Sequence, residues 1–222
     1  MKSNLYIICK LSLMFIMMSA LLSLFSCRET ESNQISGVLT DMVTGEPVGD
    51  AKVEFEITEI MQGNFNSAFI PFKECYTDSE GKFLIEFESR NFVKMRLKFS
   101  KPGYHQIYNT FEPSNVDSDY VINDAIPKES YISVKVYNGY PNDPDDVVKI
   151  RLQNINSDCD VCCGSNYKYF YGAYVDSSFV CKVVGGDYIT VNYISIHQEQ
   201  SKVVESQVYC TPGDTVMFNC YY

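Results

Sequence analysis

Nine cysteines stand in this chain of 222 residues, and Cys159, Cys162, Cys163, Cys181, Cys210 and Cys220 crowd toward its end. The cluster opens as Cys159-Asp160-Val161-Cys162-Cys163, a CxxC spacing that can hold zinc or cycle between dithiol and disulfide. A redox CxxC pair opens a helix directly after a strand, whereas this one sits in a polar loop. Only two histidines exist, His105 and His197. Neither is followed by Glu three residues on, and His197-Gln198-Glu199 has the wrong spacing for a zinc peptidase. Peptidase chemistry is therefore rejected, and no catalytic residue, metal ligand or cofactor is expected. The competing enzymatic reading is a thiol oxidoreductase or hydrolase built on the Cys159–Cys163 loop or on His197. Asp78 and Glu80, like Asp143, Asp145 and Asp146, miss the spacing of a calcium loop and read as solvated turn acids.

Tyrosine is the second chemistry-bearing residue type. Twelve of the 17 tyrosines lie from residue 128 onward, and there is no tryptophan. Tyr167, Tyr169 and Tyr171 alternate with Lys168 and Phe170, so in a strand they share one face. A row of flat rings with hydroxyls suits sugar stacking or protein contacts, and these three form the candidate binding face. The same alternation also fits a row turned inward with Lys168 outside.

The elements that must position these residues read as strands throughout. Val53, Phe55 and Ile57 alternate with Lys52, Glu54, Glu56 and Thr58. Phe83, Ile85 and Phe87 repeat the pattern, as do Met95, Leu97 and Phe99 with Lys94, Arg96 and Lys98 opposite. Glu86 and Glu88 stand just upstream of that basic stripe, which predicts a hairpin pairing the two sets of charge. Beyond the polar break Pro127-Lys128-Glu129-Ser130, Ile132, Val134 and Val136 alternate with Ser133 and Lys135, and Val148, Ile150 and Leu152 follow. Further strands are predicted near 167–174, 178–183, 187–196, 202–210 and 214–221. No segment of 35–127 carries a helical apolar period. The fold class is all-β, with two tandem β-sandwich domains, 35–127 and 128–222.

Residues 1–26 have the plan of an export signal. Lys2 and Lys10 precede Leu11 to Phe25, an apolar run of about 15 residues, shorter than the ~20 a membrane-spanning helix needs. Leu24-Phe25-Ser26-Cys27 resembles the lipobox of bacterial lipoproteins, and that resemblance implies cleavage before Cys27 and its lipidation. The polar stretch that follows, to Gln34, reads as a tether. Loss of the two leader lysines takes the formal charge from −10 to −12, which argues against nucleic acid as a partner. An exported chain favours disulfides among the six clustered cysteines over zinc or free thiols. Strand parity makes Cys181, Cys210 and Cys220 core-facing, while Cys75 stands alone in the first unit; connectivity stays open.

Ile35-Ser36-Gly37-Val38, Asp41 with Thr44-Gly45-Glu46-Pro47-Val48, Ala51-Lys52-Val53, Thr77-Asp78 with Gly81-Lys82-Phe83, and Lys101-Pro102-Gly103-Tyr104 occur in that order. Together they resemble the carboxypeptidase regulatory-like domain. The resemblance implies a transthyretin-like seven-stranded sandwich, a non-catalytic one, with 60–72 as a longer protruding loop. The expected function is that of an outer-membrane lipoprotein, held at the membrane by its lipid and binding or assembling with a glycan or another envelope protein. A purely structural spacer is the remaining alternative.

Overall fold

The computed structural model describes residues 32–61, 64–65, 67–88, 92–113, 119–139, 143–153, 163–198 and 200–222. The export signal, Cys27, and the pair Cys159 and Cys162 lie outside the described residues. Every regular element among the described residues is a strand, so the protein is all-β.

In the first half, β1 (Ser32–Asp41), β2 (Lys52–Met61), a two-residue β3 (Asn64–Phe65), β4 (Ile70–Tyr76), β5 (Lys82–Glu88), β6 (Phe92–Ser100), β7 (Ile107–Phe111), β8 (Tyr120–Val121) and β9 (Asp124–Ile126) form two sheets. In one, β1 lies between β5 and the short strands β8 and β9, which pair with it in parallel one after the other. In the other, β2 is paired with β4 and β6, and β7 follows β6. The alternation of β5 turns Phe83, Ile85 and Phe87 inward. They meet Val53, Phe55, Met95, Leu97 and Phe99 from the facing sheet in one continuous core.

The second half contains β10 (Glu129–Tyr137), β11 (Val147–Gln153), β12 (Lys168–Tyr171), β13 (Asp176–Val184), β14 (Tyr188–His197), β15 (Gln200–Tyr209) and β16 (Thr215–Tyr221). One sheet runs β13-β10-β16 and the other β12-β11-β14-β15. Between them lies a separate core built on Ile132, Val134, Val148, Ile150, Val183, Ile189 and Val191. If β8 and β9 are read as two pieces of one final strand and β3 is set aside, the halves share a topology. In each, the first strand sits between the fourth and the seventh, with the seventh parallel to it. In each, the other sheet runs third, second, fifth, sixth.

Two expectations are corrected. The basic stripe of β6 does not face Glu86 and Glu88, because β5 crosses to the opposite sheet. Its partners are on β2: Arg96 meets Glu56 at 2.5 Å and Lys98 meets Glu54 at 2.8 Å. Residues 60–72 are also not all loop. β2 continues to Met61, Ile60 pairs with Phe65, and β4 has begun by Ile70.

The turn before β5 shows why one glycine is needed. Asp78 Oδ1 accepts the N–H groups of Glu80 and Lys82, both at 2.9 Å, which winds the chain tightly. Gly81 takes φ +72°, and a Cβ there would lie 2.4 Å from the carbonyl oxygen of Leu39.

The halves meet through backbone. The N–H of Glu129 donates to Gly103 O at 2.8 Å, and the ring Nε2 of His105 lies 2.8 Å from Val183 O. Because that carbonyl can only accept, Nε2 carries the proton. His105 is thereby a buried structural tie and not a site residue.

Candidate functional site

Among the described residues β12 is an edge strand, hydrogen-bonded to β11 alone, with Lys149 opposite Tyr169 and Val147 opposite Tyr171. Phe170 packs against the core, and this decides the orientation of the strand. With Phe170 inward, alternation turns Tyr169 and Tyr171 to solvent, where they are 52% and 70% exposed. Lys168 shares the inward parity but stays exposed at the sheet edge, its ammonium 5.2 Å from the centroid of Phe179.

The rings form a ladder. Tyr169 and Tyr171 lie nearly parallel, 10° apart with centroids 6.1 Å apart, and Tyr167 continues the row at 6.3 Å. Sequence reasoning missed its cationic end. Lys149 Nζ lies 5.2 Å and Arg151 Cζ 5.0 Å from the centroid of Tyr167. Both cations alternate outward along β11, so the apolar set Val148, Ile150 and Leu152 could have pointed to them once β11 and β12 were known to pair. Tyr174, in the turn after β12, is 90% exposed.

The cysteines divide. Cys163 and Cys181 form a disulfide, tying the chain just before β12 to the inner face of β13. Cys210 and Cys220, candidates for bridging by parity, are buried free thiols. Parity places a side chain in the core but not at a given height within it. Cys210 exchanges hydrogen bonds with Gly186 and Asp187 at the end where β10 begins. Cys220 pairs with Val136 where β10 finishes. At ~3.3 Å per residue these ends are roughly 20 Å apart, beyond the reach of a disulfide. Burial pushes the Cys210 thiol up to about 11, with Asp187 adding to it, and the Cys220 thiol up to about 12. Cys75 is a half-buried free thiol on β4, also raised by burial.

His197 is paired with a residue that the sequence placed in solvent. Val147 lies opposite Ile196, so the next step of the register sets Asp146 beside His197. Asp146 is 0% exposed and not a solvated turn acid. Its Oδ1 is 2.9 Å from His197 Nδ1, and its Oδ2 accepts from Asn138 Nδ2 at 2.9 Å. The ring of Tyr222 packs on the imidazole with centroids 5.3 Å apart. No group of metal-ligating side chains occurs among the described residues.

No protein-family model matches the chain, and no curated protein sequence matches it. Among solved structures it is similar to the TIE protein of Bacillus anthracis, at 10% identity and TM-score 0.36, over 86% of this chain and 34% of that one. The minor pilin of Streptococcus agalactiae shares 12% identity at TM-score 0.36, over 85% of this chain and 94% of that one. A streptococcal ancillary pilin shares 11% at TM-score 0.34, over 86% and 63%. The chain thus spans about a third of the Bacillus protein, and at these scores the likenesses carry no argument about function.

Proposed function

We propose that this chain is a non-catalytic, lipid-anchored outer-membrane protein that captures a glycan, or an envelope protein, on the tyrosine ladder of its second sandwich. Cys27 carries the lipid, the tether runs from there to Glu31 because β1 begins at Ser32, and the two folded domains follow, divided at residue 128, in this reading. The observation that carries it is the exposed, parallel pair Tyr169 and Tyr171, continued by Tyr167 to the cations Lys149 and Arg151. Rings aligned along a strand offer apolar faces to the C–H surfaces of a sugar, while their hydroxyls and the two cations answer its oxygens. The enzymatic alternative loses one of its thiols, since Cys163 is bridged to Cys181.

The test is capture of envelope polysaccharides and envelope proteins by the purified mature chain, with Tyr167, Tyr169 and Tyr171 replaced together by Ser in a second sample. Capture should be lost with the melting temperature nearly unchanged, because two of the three rings are mostly in solvent. Undiminished capture by the triple variant overturns the assignment of the ligand to this face.

A further inference from the structure

The inner face of the β12-β11-β14-β15 sheet changes character at one end. Along β14, alternation directs Ile189, Val191, Tyr193, Ser195 and His197 toward the other sheet. The first residues of this series are core, but Ser195 and His197 are polar, and Lys202 lies opposite Ser195 on β15. Together with Tyr193, Tyr221 and Tyr222 they wall a half-open cleft of about 410 Å³. This is a different surface from the tyrosine ladder, which lies on the outer face of the same sheet.

We infer that this cleft binds a small organic carboxylate. Charge is the first reason. Lys202 brings an ammonium to the cleft, and no Asp or Glu side chain lines it among the described residues. The acid that meets His197, Asp146, is sealed behind it with Asn138 on its other oxygen, so it is not offered to a ligand.

The second reason is a buried hydroxyl. Tyr222 is 8% exposed, and its Oη is buried with no hydrogen-bond partner among the described residues. Its main-chain oxygen is occupied by Gly139 N at 2.9 Å. A buried hydroxyl left unpaired is costly, and a small turn of the Tyr222 ring would let a ligand oxygen in the cleft relieve it. Shape is the third reason: the rings of Tyr193 and Tyr222 provide apolar walls for a carbon skeleton beside the polar end. A carboxylate fits better than a phosphate, because the cleft holds a single ammonium, with neither an arginine fork nor a helix N-terminus among the described residues.

Calorimetry on the full mature chain with glucuronate and 4-hydroxybenzoate, against glucose and 4-hydroxybenzyl alcohol as neutral counterparts, tests the inference. Saturable binding of at least one acid is expected, with its neutral counterpart weaker by about tenfold or more. Lys202→Met should weaken the acid by about tenfold and Tyr222→Phe by several-fold, each with melting preserved. The triple Tyr-to-Ser ladder variant should bind the acid as the unmodified chain does, so failure of the ladder and failure of the cleft are read separately. No saturable binding of either acid, equal affinity for the neutral counterpart, or wild-type affinity in both Lys202→Met and Tyr222→Phe overturns the inference.

Discussion

Cys210 and Cys220 illustrate what burial does to a reactive group. Only the thiolate attacks an alkylating agent, and desolvation disfavours that charged form. With the thiols pushed up to about 11 and about 12, almost none of either is ionised near neutrality. Iodoacetamide at pH 8 should therefore leave both unmodified in the folded protein and modify both in guanidinium, read site by site by mass spectrometry. Rapid native labelling of Cys220 would show that the second core opens far more often than its packing implies.

The turn between β1 and β2 is organised by one carboxylate. Asp41 is buried, and burial alone would raise its pKa. The N–H groups of Thr44 and Val43, the Tyr104 hydroxyl and the charge of Lys128 outweigh it and hold the carboxyl below its ordinary value. A folded-state pKa below the unfolded one gives stability that is present above the unfolded value, 3.8, and is lost as pH falls through the folded one. Asp41→Ala should cost about 1–3 kcal/mol at pH 7 in denaturant unfolding, and the difference from the unmodified chain should shrink below pH 3.8. A difference that stays constant into acid would show that the turn does not need the charge. Further along, the Cys163–Cys181 bridge closes a sequence separation of 18. A closure of that size stabilises by about 3 kcal/mol in the chain-entropy picture. Cys181→Ser or a reductant should lower the melting temperature, and an unchanged midpoint would remove the bridge from the stability account.

Across the whole molecule, two separate cores with the same strand order are joined by short-range ties: His105 to Val183, Tyr104 bridged to Lys128, and Glu129 N to Gly103 O. Gly186 faces Val43 so closely that a Cβ would lie 2.3 Å from its Cγ2, leaving no room for a side chain between the β1–β2 turn and the β13–β14 turn. The proposed anchor makes a prediction at this scale. One acyl chain holds a protein weakly, whereas two or three hold it effectively permanently. Cys27→Ser should thus move the protein out of the membrane fraction or leave it as an uncleaved precursor. Normal processing with undiminished membrane association would exclude Cys27 as the anchor.

The all-β class, most strand positions and the inward sets around Phe55, Leu97, Val134 and Ile150 were determined by sequence alone. A period of two with one face apolar has a single stable burial, so local pattern suffices. What the pattern does not encode is which strands become neighbours. Glu86 and Glu88 look like partners of Arg96 and Lys98 in sequence, but β5 crosses to the other sheet and β2 supplies the acids instead. Cys210 and Cys220 share a core without sharing a height in it. Asp146 and His197, far apart in sequence, meet only because β11 and β14 pair in one register. The outward turn of Tyr169 and Tyr171 was likewise decided by tertiary structure, through the packing of Phe170. Alternation alone leaves a strand free to face either way, and the core chooses the side that buries the ring with no hydroxyl to satisfy.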